Sequence, residues 1–312
     1  MKAYPGGFSA MERYKPDYVE PREPHFHAGS TFEENPSTRY LAAEIEVSEG
    51  VQGETSGRAL QRFIDLWGCG VGPDCCFEIQ TAPASGDLWA LEIRRLTGIL
   101  LAGDARVDNG CGCHVHVDTR DLTVEHLVNV IRIWVQVEGT MEQLVPSARR
   151  RSTYCHPVAD ALAVWLTRLD STPYPDLTTM IGELVFQCPG ESATRYMKEH
   201  SKHGWMRSRT LNLRSHWYRG TIECRLLEGT LDASRIIHWG MLLANMVDYA
   251  KLTSPNQLRM EVEKVDGLEL LFRLCHTPAH RRWLIDAFKE HTKESENVQY
   301  TTQAEVPQAA VR

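Results

Sequence analysis

Cys111-Gly112-Cys113-His114-Val115-His116-Val117-Asp118 is the stretch whose reading decides the fold. Successive side chains of a strand point to opposite faces, a period of two. Cys111, Cys113, Val115 and Val117 therefore share one face, and His114, His116 and Asp118 the other. An apolar face backing a chemically loaded one predicts a half-buried strand over 112–118. Three further segments repeat the pattern. In 39–47, Leu41, Ala43, Ile45 and Val47 oppose Glu44 and Glu46. In 76–82, Phe77 and Ile79 oppose Glu78 and Gln80, and in 221–227, Ile222, Cys224 and Leu226 oppose Glu223 and Arg225.

One Glu-x-Glu or His-x-His pair alone is an ordinary solvent face. Four strands that each carry carboxylate, imidazole or guanidinium at the centre of the polar face point further. If they pair in one sheet, three or four carboxylates converge, and such a cluster repels itself unless a cation sits in it. Oxygen ligands with one imidazole suit Mg²⁺ or Mn²⁺ better than zinc. A zinc knot built from Cys69, Cys75, Cys76, Cys111 and Cys113 lacks any Cys-x2-Cys pair, so these cysteines read as small buried side chains.

Helices are expected at about 56–67, 87–102, 124–144, 158–169, 176–186, 233–252 and 265–275. Thr123 is placed to cap the helix from 124, where Leu127, Val130, Ile131 and Trp134 recur at helical spacing. Thr230-Leu231-Asp232 is placed to start the one carrying Ile236, Ile237, Met241 and Leu242. Residues 1–37, rich in Pro, Gly, Tyr and charge, read as an N-terminal arm, 38–292 as one domain, and 293–312 as a polar, flexible C-terminal tail.

The chain has 312 residues, 42% hydrophobic and 24% charged, enough apolar surface to exclude disorder as the main state. Its 34 basic against 41 acidic residues, net −7, argue against coating nucleic acid. No stretch approaches the roughly 18 apolar residues of a membrane span. Nine cysteines, an odd count, with no apolar region of a secretion signal near Met1, predict reduced thiols and a cytoplasmic location. The charge is uneven. Between Arg195 and Arg225 eight basic residues face two acidic ones.

Ala43-Glu44-Ile45-Glu46, then Asp74-Cys75-Cys76-Phe77-Glu78-Ile79-Gln80-Thr81-Ala82-Pro83, then Cys111-Gly112-Cys113-His114-Val115-His116-Val117-Asp118, then Thr221-Ile222-Glu223-Cys224-Arg225-Leu226-Leu227-Glu228-Gly229-Thr230, in this order, resemble the amidoligase family, and Asn109-Gly110-Cys111-Gly112-Cys113-His114-Val115-His116 also resembles the ATP-site signature of glutamine synthetases. That family belongs with glutamine synthetase and glutamate–cysteine ligase among the carboxylate–amine ligases. The resemblance spans about residues 38–252. The departures are Ala43 where the family has Gly, Cys75-Cys76 for Gly-Ser, and Cys224 for an aromatic residue. They alter packing more than chemistry.

The resemblance implies an α+β fold, an antiparallel sheet shaped as a half-barrel or saddle with helices on its apolar face. It implies Glu44, Glu46, Glu78, His114 and Glu223 as ligands of Mg²⁺ or Mn²⁺, two ions, with His116 near the phosphates of ATP and Arg225 on the transferring phosphate. Arg225, Glu223 and His116 are thus the catalytic candidates. Arg207 and Arg209, from the basic segment, and Asn212, which resembles a family Asn, are candidates for nucleotide or substrate contacts. The implied activity joins a carboxylate and an amine, small or peptide-borne, through an acyl phosphate. Nucleic acid enters only as a modified substrate.

Two other readings stay open. His114-x-His116-x-Asp118 matches the start of a metallohydrolase ligand set, although Thr119 stands where its next His belongs. A non-catalytic module with a decayed site is the other, against which the intact acidic, imidazole and arginine set argues. The basic segment and Arg149-Arg150-Arg151 also read as solvated or RNA-facing patches.

Overall fold

The computed structural model describes residues 37–67, 69–72, 77–173, 176–186 and 205–304. The expected arm up to residue 36, Asp74-Cys75-Cys76, Arg195, Lys198, Lys202 and the last eight residues lie outside the described residues.

Alternating apolar residues build an open, seven-stranded, wholly antiparallel sheet. Its strands are β1 (Tyr40–Val47), β2 (Gly70–Gly72), β3 (Phe77–Gln80), β4 (Ala84–Ser85), β5 (Cys113–Asp118), β6 (Leu211–Asn212) and β7 (Thr221–Cys224), ordered β2-β3-β1-β5-β7-β6 with β4 against β1. Leu41, Ala43, Ile45, Val47, Ile79, Cys113, Val115, Val117, Ile222 and Cys224 are all buried in one core. The apolar face is covered by α2 (Gly86–Ala102) and α8 (Ala233–Leu252), which also pack on each other. The fold is α+β.

Behind that layer stands α3 (Val124–Glu142), against α5 (Ala159–Ser171), α6 (Leu177–Phe186), α9 (Pro255–Val262) and α10 (Gly267–Leu274). The remaining helices are α1 (Glu54–Trp67), packed on α2, the short α4 (Ser147–Arg150) and α7 (Ser215–Arg219), and α11, whose helical backbone runs from Pro278 to Ala304. Thr123 caps α3 in a reciprocal box with His126: Thr123 Oγ1 accepts from the His126 amide, and His126 Nδ1 accepts from the Thr123 amide. Asp232 caps α8 by accepting from the Ser234 and Arg235 amides. Both caps satisfy amide groups that a helix start leaves without partners.

The alternation of 221–227 continues to Leu227, but the ladder ends at Cys224. Pairing then shifts by one residue, the Cys113 amide donating to the Leu227 carbonyl and Gly112 bridging Glu228, and Arg149 lies at the shift. Its buried guanidinium takes the carbonyls of Arg225 and Leu226, which a continuing strand would give to its neighbour.

Candidate active site

Register turns four local alternations into one cluster. Glu46 lies opposite Glu78, Glu44 opposite Gln80 and His114, and His116 opposite Glu223, which in turn lies opposite Asn212. Glu44, Glu46, Glu78, His114, His116 and Glu223 are all buried.

The contacts are close. Glu44 Oε2 lies 3.1 Å from His114 Nδ1, and its Oε1 3.3 Å from His116 Nε2. Arg219 Nη1 donates to the same Oε1 at 2.6 Å. Glu46 Oε2 accepts from the Gly112 amide at 2.6 Å, and its Oε1 lies 3.5 Å from His114 Nε2. Glu223 is held from two sides, Oε1 by Arg225 Nη1 at 2.5 Å and Oε2 by Asn212 Nδ2 at 2.7 Å. Gln80 Nε2 donates to Glu78 Oε1 at 2.7 Å. His116 Nδ1 lies 3.0 Å from Thr221 Oγ1 and 3.5 Å from Ser215 Oγ. Gly112 permits a close approach, since a Cβ there would stand 2.5 Å from Arg149 Nη2.

Burial by itself would push these carboxyls up. At Glu44 the hydrogen bonds with His114 and His116 and the charge of Arg219 outweigh it and hold the carboxyl well below its usual range. At Glu223 burial is outweighed chiefly by Arg225, which brings the carboxyl down to about 2. Both are anions at neutral pH. Among the described residues, two guanidiniums, Arg219 and Arg225, ion-pair with this set of four carboxylates.

The donors sort into two groups, Glu44–His114–Glu223 and Glu46–Glu78–His114. In each, one ligand atom per residue lies within 4.8 Å of the others. Carboxylate oxygens with one imidazole fit a hard divalent cation.

A family model described as "Putative amidoligase enzyme" matches residues 71–247, more than half of the chain. The chain belongs to this amidoligase family. Its members are named for forming amide bonds, and this amidoligase is by that membership a ligase. The matched span begins after β1, yet β1 supplies Glu44 and Glu46, so the site draws on residues outside it. No curated protein matches the sequence.

All five residues named as metal ligands from the sequence stand in the two groups, with His116, Arg225 and Asn212 beside them. Arg207 is exposed on the short 3₁₀ helix Trp205–Ser208, and Arg209 donates to the Pro157 carbonyl at 3.2 Å. Arg149, from the triple-arginine cluster, is buried and serves backbone carbonyls. Asp118 binds the Nε and Nη2 of Arg120 at 2.8 and 2.7 Å and belongs to neither donor group. Neighbours of the cluster outside the candidate set include Gln80, Arg219, Thr221 and Ser215. Gln80 shares the parity of Glu78 and could have been found by it. Arg219 meets Glu44 across 175 positions, and its only sequence signal is the local basic excess.

Proposed function

We propose that this amidoligase is an ATP-dependent carboxylate–amine ligase working through an acyl phosphate. The observation that carries the reading is the pair of buried donor groups that share His114, set beside Arg225 within an amidoligase chain. Glu44, His114 and Glu223 would hold one Mg²⁺ or Mn²⁺, and Glu46 and Glu78 a second, since a neutral imidazole offers one lone pair and His114 can serve one ion at a time. Bound there, the ions would neutralise the phosphate oxygens of ATP.

The chain's own groups do the rest. A substrate carboxylate oxygen attacks the γ-phosphorus, an O–P bond forms, and the bond to the bridging oxygen breaks to release ADP. The amine nitrogen then attacks the acyl carbon, phosphate departs, and the nitrogen loses its proton. His116, oriented by Thr221 and Ser215, faces the phosphates. Arg225 keeps Glu223 charged and aimed, Asn212 fixes its other oxygen, and Arg207 and Arg209 are assigned to the nucleotide. Low dielectric strengthens each of these interactions. The pairing of Asp118 with Arg120 weighs against the metallohydrolase reading, which needs Asp118 as a ligand.

The test is ADP release by the purified chain with ATP and Mg²⁺ or Mn²⁺, across a panel of amines and carboxylates, with mass spectrometry of any conjugate. Release is expected only when amine, carboxylate and metal are all present. His114→Ala, with an unchanged circular dichroism spectrum, is expected to lower it at least about 100-fold, the size of losing a preorganised charge-stabilising group. Stoichiometric zinc in the purified protein with no thermal shift from ATP would sink the ligase reading.

A further inference from the structure

The two arginines that touch the carboxylates differ in how they are held. Arg225 is boxed in. Its side chain is 11% exposed, its Nη1 is on Glu223, its Nε donates to the Tyr154 carbonyl, and Arg149 grips its own carbonyl from behind. Arg219 is 43% exposed. It ends α7, just before Gly220, whose φ of +70° turns the chain out of the helix. Its Nη1 meets Glu44 Oε1 at 2.6 Å and stands 3.4 Å from His116 Nε2.

Glu44 belongs to a donor group and meets His114 through Oε2, so a divalent cation arriving there divides with Arg219, on Oε1, the single charge of that carboxylate. A guanidinium keeps its charge at every physiological pH and carries five donors in a planar fork suited to phosphate oxygens. The displaced fork is anchored beside His116, the residue assigned to the phosphates.

We propose that Arg219 is an exchangeable counter-ion. It neutralises Glu44 while no divalent cation is bound, and passes to the oxygens of a nucleoside triphosphate when one is. The proposal rests on the metal–nucleotide reading above. The exchange never leaves Glu44 buried without a cation, the arrangement that costs most. It also divides the labour. Arg225 is the fixed arginine that positions Glu223, and Arg219 is the one free to touch the transferred phosphate.

Two titrations of the full chain test it, Mn²⁺ alone followed by electron paramagnetic resonance, and a non-hydrolysable ATP analogue in saturating Mn²⁺ followed by calorimetry. Arg219→Gln removes a competitor from Glu44, so Mn²⁺ alone is expected to bind about threefold tighter or more, by mass action. The same variant is expected to bind the analogue about tenfold more weakly, the size of losing one charge-assisted hydrogen bond. Arg219→Lys is expected to recover part of the analogue affinity. Opposite signs in the two titrations are what a merely structural residue would not give. If both affinities fall together, or analogue affinity does not change, the proposal is overturned. If the wild-type chain binds Mn²⁺ but no analogue, the nucleotide reading is what fails. The phosphate half falls with it, and the counter-ion half then stands or falls on the tighter Mn²⁺ binding of Arg219→Gln.

Discussion

Glu92 shows what a single carboxyl costs this fold. It lies fully buried on α2, where its Oε1 accepts from the Ala82 amide at 3.0 Å and stands 3.5 Å from Cys69 Sγ. Its Oε2 has no hydrogen-bond partner among the described residues. Burial pushes the carboxyl up from 4.5 to about 8. The folded chain therefore holds Glu92 neutral at pH 7, while the unfolded chain ionises above about pH 4.5. The stability tied to this proton is full below that pH and drains away as the pH climbs to about 8. Glu92→Gln, which cannot ionise, is expected to gain stability over the wild type steadily between pH 5 and 8, by about 2 kcal/mol or more across the range. Parallel stability curves in urea melts at each pH would refute this. Nothing in the sequence separates Glu92 from any other helical Glu, because its state depends on what packs around it. Glu44, Glu46, Glu78, His114 and Glu223 were legible because their common orientation follows from strand parity, a local property. Arg219 was not, because it reaches Glu44 across 175 positions that no periodicity reports.

At the level of elements, α2 and α8 show how close packing fixes the helix layer. A Cβ on Gly240 would lie 2.2 Å from Cη2 of the fully buried Trp89. Ala is the better helix former by about 1 kcal/mol, yet Gly240→Ala is expected to destabilise by about 1–3 kcal/mol through overpacking. Trp89→Phe in the same background should return part of that loss. A gain in melting temperature for Gly240→Ala alone would show that the layers can part without cost. The long helices and the four main strands were readable from apolar spacing and caps. The two-residue strands β4 and β6 were not, since two residues carry no periodicity, and β6 matters because it delivers Asn212 to Glu223. The early end of β7 was equally hidden, since the next two carbonyls go to Arg149, from another part of the chain.

Across the whole molecule the sheet has two unlike faces, an apolar one sealed by helices and an acidic one whose carboxylates outnumber their arginine partners among the described residues. On the proposed reading, the acidic face would destabilise the metal-free fold and divalent cations would relieve it. Glu46→Gln keeps an acceptor for the Gly112 amide and removes one charge. In thermal melts it is expected to raise the metal-free midpoint by about 2–4 °C, the shift that goes with about 1 kcal/mol in a chain of this size, and to lose most of the wild type's rise with Mn²⁺. A lower metal-free midpoint would show that Glu46 is already compensated.

The sheet order also sets a timetable. Chains are made from the N-terminus, so β1, β3 and β5 leave the ribosome long before β7, which must close the sheet at β5 across more than 100 positions. The carboxylates of β1 and β3 and the imidazoles of β5 are delivered first. Glu223 and the two arginines that pair with these acids among the described residues, Arg219 and Arg225, arrive together much later. On the proposed reading, a chain halted anywhere before residue 219 would hold the acids of β1 and β3 without Arg219, Glu223 and Arg225, and would not spend ATP.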